Sequence, residues 1–491
     1  MTIKLSAANL LKIGQSLAVP KYRRGQLSQG IMHFGVGNFH RAHLAVYLDD
    51  LFNKGLNHDW ALVGAGVMPS DEKMRQILVS QDYLTTVVEQ DNERSTAHIT
   101  APLIDFIPPT DKAAMIARLS NREIRIVSLT ITEGGYFIDP ATQKFDPKNL
   151  AIVADAKNLD APSTVFGFIV AGLSHRRDKG IPPFTVMSCD NVPHNGHVTR
   201  NAVVGLAELA DPALATWISA NVAFPNAMVD RITPATSDRE RKICAENFGV
   251  EDQWPVFCEE FKQWVLEDNF TMGRPEFEKV GAQFVMDVTP FEYMKIRILN
   301  GGHAVLAYAG GLLDVHYVHE AMEHKLVHAF FNKVERDEII PTVPHVPGTN
   351  IQEYYKLIER RFANPKIGDT IRRLALDGSN RQPKFIVPPM ADRLQAGKSI
   401  KGLALESALW CRYCFGTSDS GKVIEPNDPS WDRLQTAAKA AKADPSAWLA
   451  MDDIYGEVGK HPVMVKEFAA ALSSLWLQGT VATLNTYIKT V

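Results

Sequence analysis

The feature that most constrains the fold is a change of hydrophobic rhythm near residue 289. From residue 30 to about 289, short β-branched runs alternate with longer amphipathic segments; beyond that point apolar residues recur only at helical spacing. The first pattern calls for a mainly parallel sheet covered by helices, because parallel neighbours can be joined only by a crossover. Strands are predicted at 31–34, 61–63, 124–129 and 184–187, each ending at polar or glycine-rich residues. Helices are predicted over 291–308, 351–362, 369–376, 403–414, 431–443 and 463–477. Pro341, Pro344 and Pro347 fall within seven residues and mark a loop inside this second part. The chain thus reads as an α/β N-terminal domain over 1–289 and a mostly α-helical C-terminal domain over 290–491.

With 491 residues, 45% of them hydrophobic, there is material for two cores. A formal net charge of −4 gives no electrostatic footprint for nucleic acid or an anionic membrane. The N-terminal segment sets Lys4 and Lys12 among its apolar residues, unlike a secretion signal, and the longest nearly uncharged stretch, 301–313, is shorter than the roughly 20 residues a span needs. A cytoplasmic protein acting on a small soluble molecule is expected, as a monomer or weak homo-oligomer. Five cysteines are an odd number for a disulfide framework. Cys411 and Cys414 form a CxxC without a second pair, so no metal site is expected.

Open α/β sheets bind ligands at the carboxyl ends of their strands, and the motifs gather there. Gly35, Val36, Gly37, Asn38, Phe39 and His40 follow the first predicted strand and open a helix, the context of a dinucleotide-binding turn. Gly35 permits the tight turn and Gly37 lets backbone approach a pyrophosphate. His40 stands where the third glycine of GxGxxG belongs, so the pattern by itself is weak and a plain glycine turn is the competing reading of these residues. Asp71, after the next strand, is placed for the hydroxyls of an adenosine ribose, about 34 residues beyond Gly37 against a usual spacing of roughly 20. A surface aspartate is the competing reading. An acid at the ribose would favour NAD over NADP, with NADP at lower preference because the neighbouring Ser70 is uncharged.

Glu292, Lys295, Asn300 and His303 fall in one predicted helix, and at 100° per residue they share an arc of roughly 140°. Either this stripe faces water, or it is buried for chemistry, since burying four such groups for structure alone is expensive. Two further polar segments, Ser188-Cys189-Asp190-Asn191 and the Asp230-Arg231 pair within 224–234, favour chemistry.

Taken together, GVGNFHRAH near the start, SLTITEGGY (128–136), SCDNVPHNG (188–196), FPNAMVDRITP (224–234), MKIRILNGGH (294–303) and DGSNRQPKF (377–385) resemble the long-chain mannitol dehydrogenase family of polyol dehydrogenases over essentially the whole length. The resemblance implies a Rossmann-type N-terminal domain, a helical C-terminal domain, and metal-free hydride transfer between a polyol and NAD. It implies that Lys295 is the base, that Asn191 and Asn300 hold the reacting oxygen, that His303 binds substrate and that Glu292 passes the proton toward solvent. Asp230 and Arg373 match residues that bind substrate hydroxyls. A lysine with an ordinary pKa near 10.4 is a poor base at neutral pH, so desolvation and positive neighbours are expected to depress that of Lys295.

One position departs from the pattern. Arg381 stands where mannitol-oxidising relatives carry a lysine, and its planar fork of donors makes the exchange far from neutral at a substrate site. The expected reaction interconverts mannitol and fructose, or a neighbouring pair based on arabinitol or glucitol. Arg373 and Arg381 suit a carboxylate as well, which keeps a hexuronate reductase in view. A non-catalytic NAD-binding sensor is a further alternative, but it would be expected to have lost some of Lys295, Asn191, Asn300 and His303, and all four are present.

Overall fold

The computed structural model describes residues 2–139 and 144–489. Two compact units follow one another along the chain, Met1–Thr289 and Pro290–Val491. The first is built on five parallel strands, Gln29–Phe34 (β1), Ala61–Ala65 (β2), Leu103–Phe106 (β3), Ile126–Leu129 (β4) and Thr185–Ser188 (β5), in the order β3-β2-β1-β4-β5. All four predicted strands are among them, with ends shifted by one or two residues. They read as apolar runs because both faces are covered: Ile31, Met32, Phe34, Val63, Val127 and Val186 are all fully buried. Strand order reverses between β1 and β4, and that reversal opens a crevice at the carboxyl ends of the strands.

Among the described residues this unit holds three smaller sheets, one of them the short parallel pair Ile3–Lys4 and Val250–Glu251. Thr85–Gln90 pairs antiparallel with Ser95–Thr100 and parallel with Val256–Glu259. Ala227–Asp230 (β6) pairs antiparallel with Gln263–Glu267, which runs parallel to Gln283–Val285. The central sheet is therefore wholly parallel and the antiparallel pairs lie in the satellites.

The second unit is helical. Its central helix, Lys401–Cys414, is buried at every position from Gly402 to Cys414, as expected of a helix covered on all sides. Cys411 and Cys414 are consequently core residues, and no group of three or more His, Cys, Asp or Glu among the described residues is placed to hold a metal ion. Pro462–Lys489, Gly302–Leu312 and Trp431–Ala441 pack around it. Among the described residues no helix is long and apolar enough to cross a membrane.

Sequence reasoning misjudged one helix in a way that matters. The segment expected as a single α-helix over 291–308 is α-helical over Thr289–Met294, π-helical over Lys295–Gly301, and α-helical again over Gly302–Leu312. The wider π turn, with its i→i+5 bonding, invalidates stepping at 100° per residue. A second π segment, Glu335–Ile339, packs against the first. Just past the first, a Cβ at Gly302 would lie 2.9 Å from both Glu335 Oε1 and the Phe331 ring, so this helix lies close against Glu335 at its glycine.

Candidate active site

In the first unit β1 ends at Phe34 and the chain turns through Gly35, whose φ is +89°. A Cβ there would sit 2.0 Å from the Thr130 carbonyl oxygen, so both backbone angle and space demand glycine. Gly37 is extended, and a Cβ on it would meet nothing nearer than the Gly35 carbonyl at 3.8 Å. That open face suits the close approach of a pyrophosphate.

The remaining side chains of this turn build it. Asn38 donates from Nδ2 to Pro234 O (3.0 Å) and Thr236 Oγ1 (2.9 Å), and its Oδ1 accepts from Arg41 (3.0 Å) and Trp254 Nε1 (3.0 Å). Its amide is saturated, so any cofactor contact by Asn38 falls to its backbone. Val36 is packed in the core, and Phe39 stacks on His43 at 4.9 Å. His40, in the slot of the third glycine, stacks on His33 of β1 with ring centroids 3.6 Å apart. His33 in turn reaches Ser128 Oγ at 2.8 Å and Thr130 Oγ1 at 3.0 Å. Burial pushes His33 down to about 3 and His40 well below its ordinary value, so the stacked imidazoles are neutral at physiological pH.

Asp71 lies beyond β2 in the first turn of Pro69–Ser80. Its Oδ2 accepts from the backbone N–H groups of Val67 (2.9 Å) and Met68 (2.8 Å), and the carboxylate packs so closely on Gly66 that a Cβ there would lie 2.3 Å from it. It closes the strand-to-helix turn as an N-terminal cap, a role its spacing in the sequence did not suggest.

Asn191 is exposed just past β5. Its neighbour Asp190 accepts from Ile131 N (2.8 Å), Thr132 N (3.0 Å) and Tyr136 Oη (2.7 Å), tying the 128–136 motif to the end of β5. Asn195 donates to Asp190 O (3.0 Å) and Ala227 O (2.7 Å) and accepts from Ala227 N (2.9 Å), while Asn226 Oδ1 accepts from Gly196 N (2.9 Å). Three sequence motifs thereby become one hydrogen-bonded ledge. Sequence reasoning missed Asp190, Asn195 and Asn226 as its supports; the signal was their place inside quoted motifs without a chemical role of their own. Asp230 is buried at the end of β6, while the Arg231 guanidinium is spent on Glu259 O (3.0 Å), Ala42 O (2.6 Å) and Glu89.

In the second unit, Glu292, Lys295 and Asn300 are only 6%, 6% and 8% exposed, which rules out a stripe facing water. His303 stacks on Phe362 at 4.4 Å, and its Nε2 is buried without a hydrogen-bond partner. Burial first, then the charges of Arg373, Arg361, Arg381 and Lys295, hold its pKa well below the ordinary value. The structure thus gathers a neutral imidazole and four basic residues from four helical stretches of chain. Arg373 is countered by a bidentate pair with Asp369, and Arg381 donates to Leu374 O at 3.1 Å. Arg361, buried on Ile351–Phe362, belongs to this group and carried no signal in sequence beyond an inward helical position.

The two halves of the chain match two family models: a mannitol dehydrogenase Rossmann domain over residues 29–279 and a mannitol dehydrogenase C-terminal domain over 287–476. A mannitol 2-dehydrogenase of Cereibacter sphaeroides is 57% identical over 475 residues, covering 96% of this chain and 99% of that protein. One from Aspergillus clavatus is 42% identical, with 99% of each chain covered. Among solved structures, a ternary complex of Pseudomonas fluorescens mannitol 2-dehydrogenase with NAD and D-mannitol superposes with a TM-score of 0.91 at 42% identity, over 100% of both chains. A substrate-free D-sorbitol dehydrogenase gives a TM-score of 0.91 at 35% identity, over 98% of this chain and 100% of the other. Both architecture and sequence therefore match from end to end, and the chain is an oxidoreductase of the mannitol dehydrogenase family.

Proposed function

We propose that this protein oxidises D-mannitol to D-fructose with NAD, without a metal, and that Lys295 is the base. The observation that carries the reading is the burial of Glu292, Lys295 and Asn300 along one distorted helical stretch beside a neutral His303. Ionisable groups are buried together at such cost where chemistry needs them. The relative solved with NAD and D-mannitol, similar over the full length, supports the substrate and cofactor.

NAD, when bound, supplies the acceptor for a hydride. The turn at Gly35 and Gly37 fits such a dinucleotide, because the open face of Gly37 leaves room for a pyrophosphate and the backbone of Val36 to His40 follows it. Asp71 caps the helix through Oδ2 alone, and its other oxygen, Oδ1, is the group for the adenosine ribose and for preferring NAD, with NADP accepted less well.

The protein's own work is on the proton and the oxygen. Lys295 takes the hydroxyl proton of the carbinol, which requires its ammonium to titrate well below the ordinary value of about 10.4. Asn191 and Asn300 donate to the developing alkoxide, an arrangement worth about 2.7 to 4 kcal/mol per donor. His303, held neutral, keeps one ring N–H to donate and one nitrogen to accept, which suits a substrate hydroxyl. Glu292 relays the proton outward. Asp230, Arg373 and Arg381 orient the remaining hydroxyls.

A panel of polyols and ketoses followed by NADH absorbance, with NAD and then NADP, tests substrate and cofactor together. Fastest turnover on D-mannitol is expected; a preference for D-glucitol would favour the second reading, which the D-sorbitol dehydrogenase likeness and Arg381 keep open. Undiminished activity after exhaustive chelation is expected, and its loss would overturn the metal-free mechanism.

A further inference from the structure

Gly378–Phe385 is the helix of the DGSNRQPKF segment, and it carries Arg381. Its composition is poor for a helix: it opens with Gly, Ser and Asn and holds Pro383 in its interior, which removes a backbone donor. Something other than its own propensity must fix it. Three contacts do so. Ser379 gives its backbone N–H and its Oγ to the two oxygens of Asp428, at 2.8 and 2.7 Å. Gly378 lies so close to Trp410 Nε1 and Tyr308 Oη that a Cβ would come within 2.7 Å of each. One turn on, Gln382 Nε2 donates to Glu406 Oε1 at 2.6 Å, both side chains being buried, on the central helix Lys401–Cys414.

Glu406 is fully buried, and the groups that set its ionisation, apart from burial itself, are Gln382 and Ser407. An acid in such a place is costly, and an apolar residue of similar size would pack there without that cost. Its one short bond goes to the neighbour in sequence of Arg381, on a helix whose far end touches the π-helical segment: a Cβ on Gly301 would lie 3.5 Å from Phe385 O. Arg381 itself is among the cations that hold His303 down.

We infer that Glu406, acting through Gln382, is a positioning residue that fixes the rotation of the Gly378–Phe385 helix and thereby the placement of the Arg381 guanidinium for substrate. This rests on reading Arg381 as a substrate contact. Loss of the clasp lets a weak helix turn about its axis, which moves Arg381 while leaving the dinucleotide turn of the other unit untouched. The effect belongs in the KM for the polyol.

The test is steady-state kinetics on the full-length enzyme with D-mannitol and NAD. Glu406→Leu and Gln382→Leu are each expected to raise the mannitol KM about tenfold, with kcat reduced less than about threefold and the NAD KM within about twofold. Glu406→Gln, whose amide oxygen still accepts from Gln382, is expected to keep the mannitol KM within about twofold. In an Arg381→Ala background, Glu406→Leu should add no further increase, because the group it places is gone. The inference is overturned if Glu406→Gln is as damaging as Glu406→Leu, or if the KM increase is the same with and without Arg381. If Glu406→Leu does not fold, Gln382→Leu with and without Arg381→Ala decides in the same way. A wild-type enzyme that oxidises no polyol, or an Arg381→Ala variant with unchanged KM, would instead overturn the functional reading beneath it.

Discussion

The dinucleotide turn of the first unit and the π-helical segment of the second solve opposite problems. In the turn the backbone is open at Gly37 and the side chains are spent largely on structure: the Asn38 amide is saturated, one oxygen of Asp71 caps a helix and His40 fills space against His33. In the π segment the backbone is distorted while Lys295 and Asn300 are held inside, and on the α-helix that follows the His303 Nε2 is buried without a hydrogen-bond partner. A site that recognises a phosphate through N–H groups needs exact backbone, so its residues are chosen for conformation. A site that moves a proton needs particular atoms, so the helix carrying them is allowed to deform.

That contrast is broken most directly at Lys295. Lys295→Ala is expected to lower kcat by at least about a thousandfold with little change in stability, since the effect is loss of the base. A variant that turns over near the normal rate would show that the π segment holds structure alone. In the surviving wild-type activity, oxidation should rise with pH through an apparent pKa well below that of free lysine. Asn300→Ala should follow at about a hundredfold or more, the usual cost of removing a donor to a developing oxyanion.

Gly35→Ala examines the other side. The clash with Thr130 O and the positive φ predict a displaced turn, hence a raised NAD KM together with a lower melting temperature, by several degrees. Loss in the two quantities together is the mark of a residue chosen for backbone shape. A variant with normal NAD affinity would separate the turn from the cofactor.

Much of the first unit was legible because parallel strands are buried on both faces and announce themselves as apolar runs; Ile31 to Phe34 needed no context. The π segment was not legible. No residue type in Lys295 to Gly301 marks a wider turn, and the segment it packs against, Glu335–Ile339, lies more than thirty positions away. Glu292, Lys295, Asn300 and His303 were singled out by a shared helical face and by their motif, while the geometry assigned to them, an arc on a regular helix, was wrong. Asp190, Asn195 and Asn226 escaped for a related reason: their amides and carboxylate act on backbone from distant segments, which no spacing rule reveals. Arg361 escaped because an inward-facing arginine on an amphipathic helix looks like a break in the apolar stripe.

The smallest expected effect is one of pH, and it runs in opposite directions in the two units. His33 titrates at about 3 in the folded chain against about 6.5 when exposed, so below 6.5 the unfolded state binds more protons and stability falls as pH falls toward 3. Glu406 is pushed by burial up to about 8, from an ordinary value of 4.5. Between those values the folded state holds the proton and the unfolded state does not, so stability falls as pH rises from about 4.5 to about 8. Gln382 and Ser407 beside it, and Tyr308 and Tyr455 whose own ionisation it opposes, supply no positive charge to offset this. Glu406→Gln removes the titration while retaining the hydrogen bond. Its melting temperature should match that of the wild type near pH 5 and exceed it by a few degrees near pH 8.5, as read by calorimetry at matched ionic strength. An offset that is constant with pH would mean that Glu406 is ionised throughout, and that the buried clasp on the Arg381 helix is held by a charge whose partner lies elsewhere.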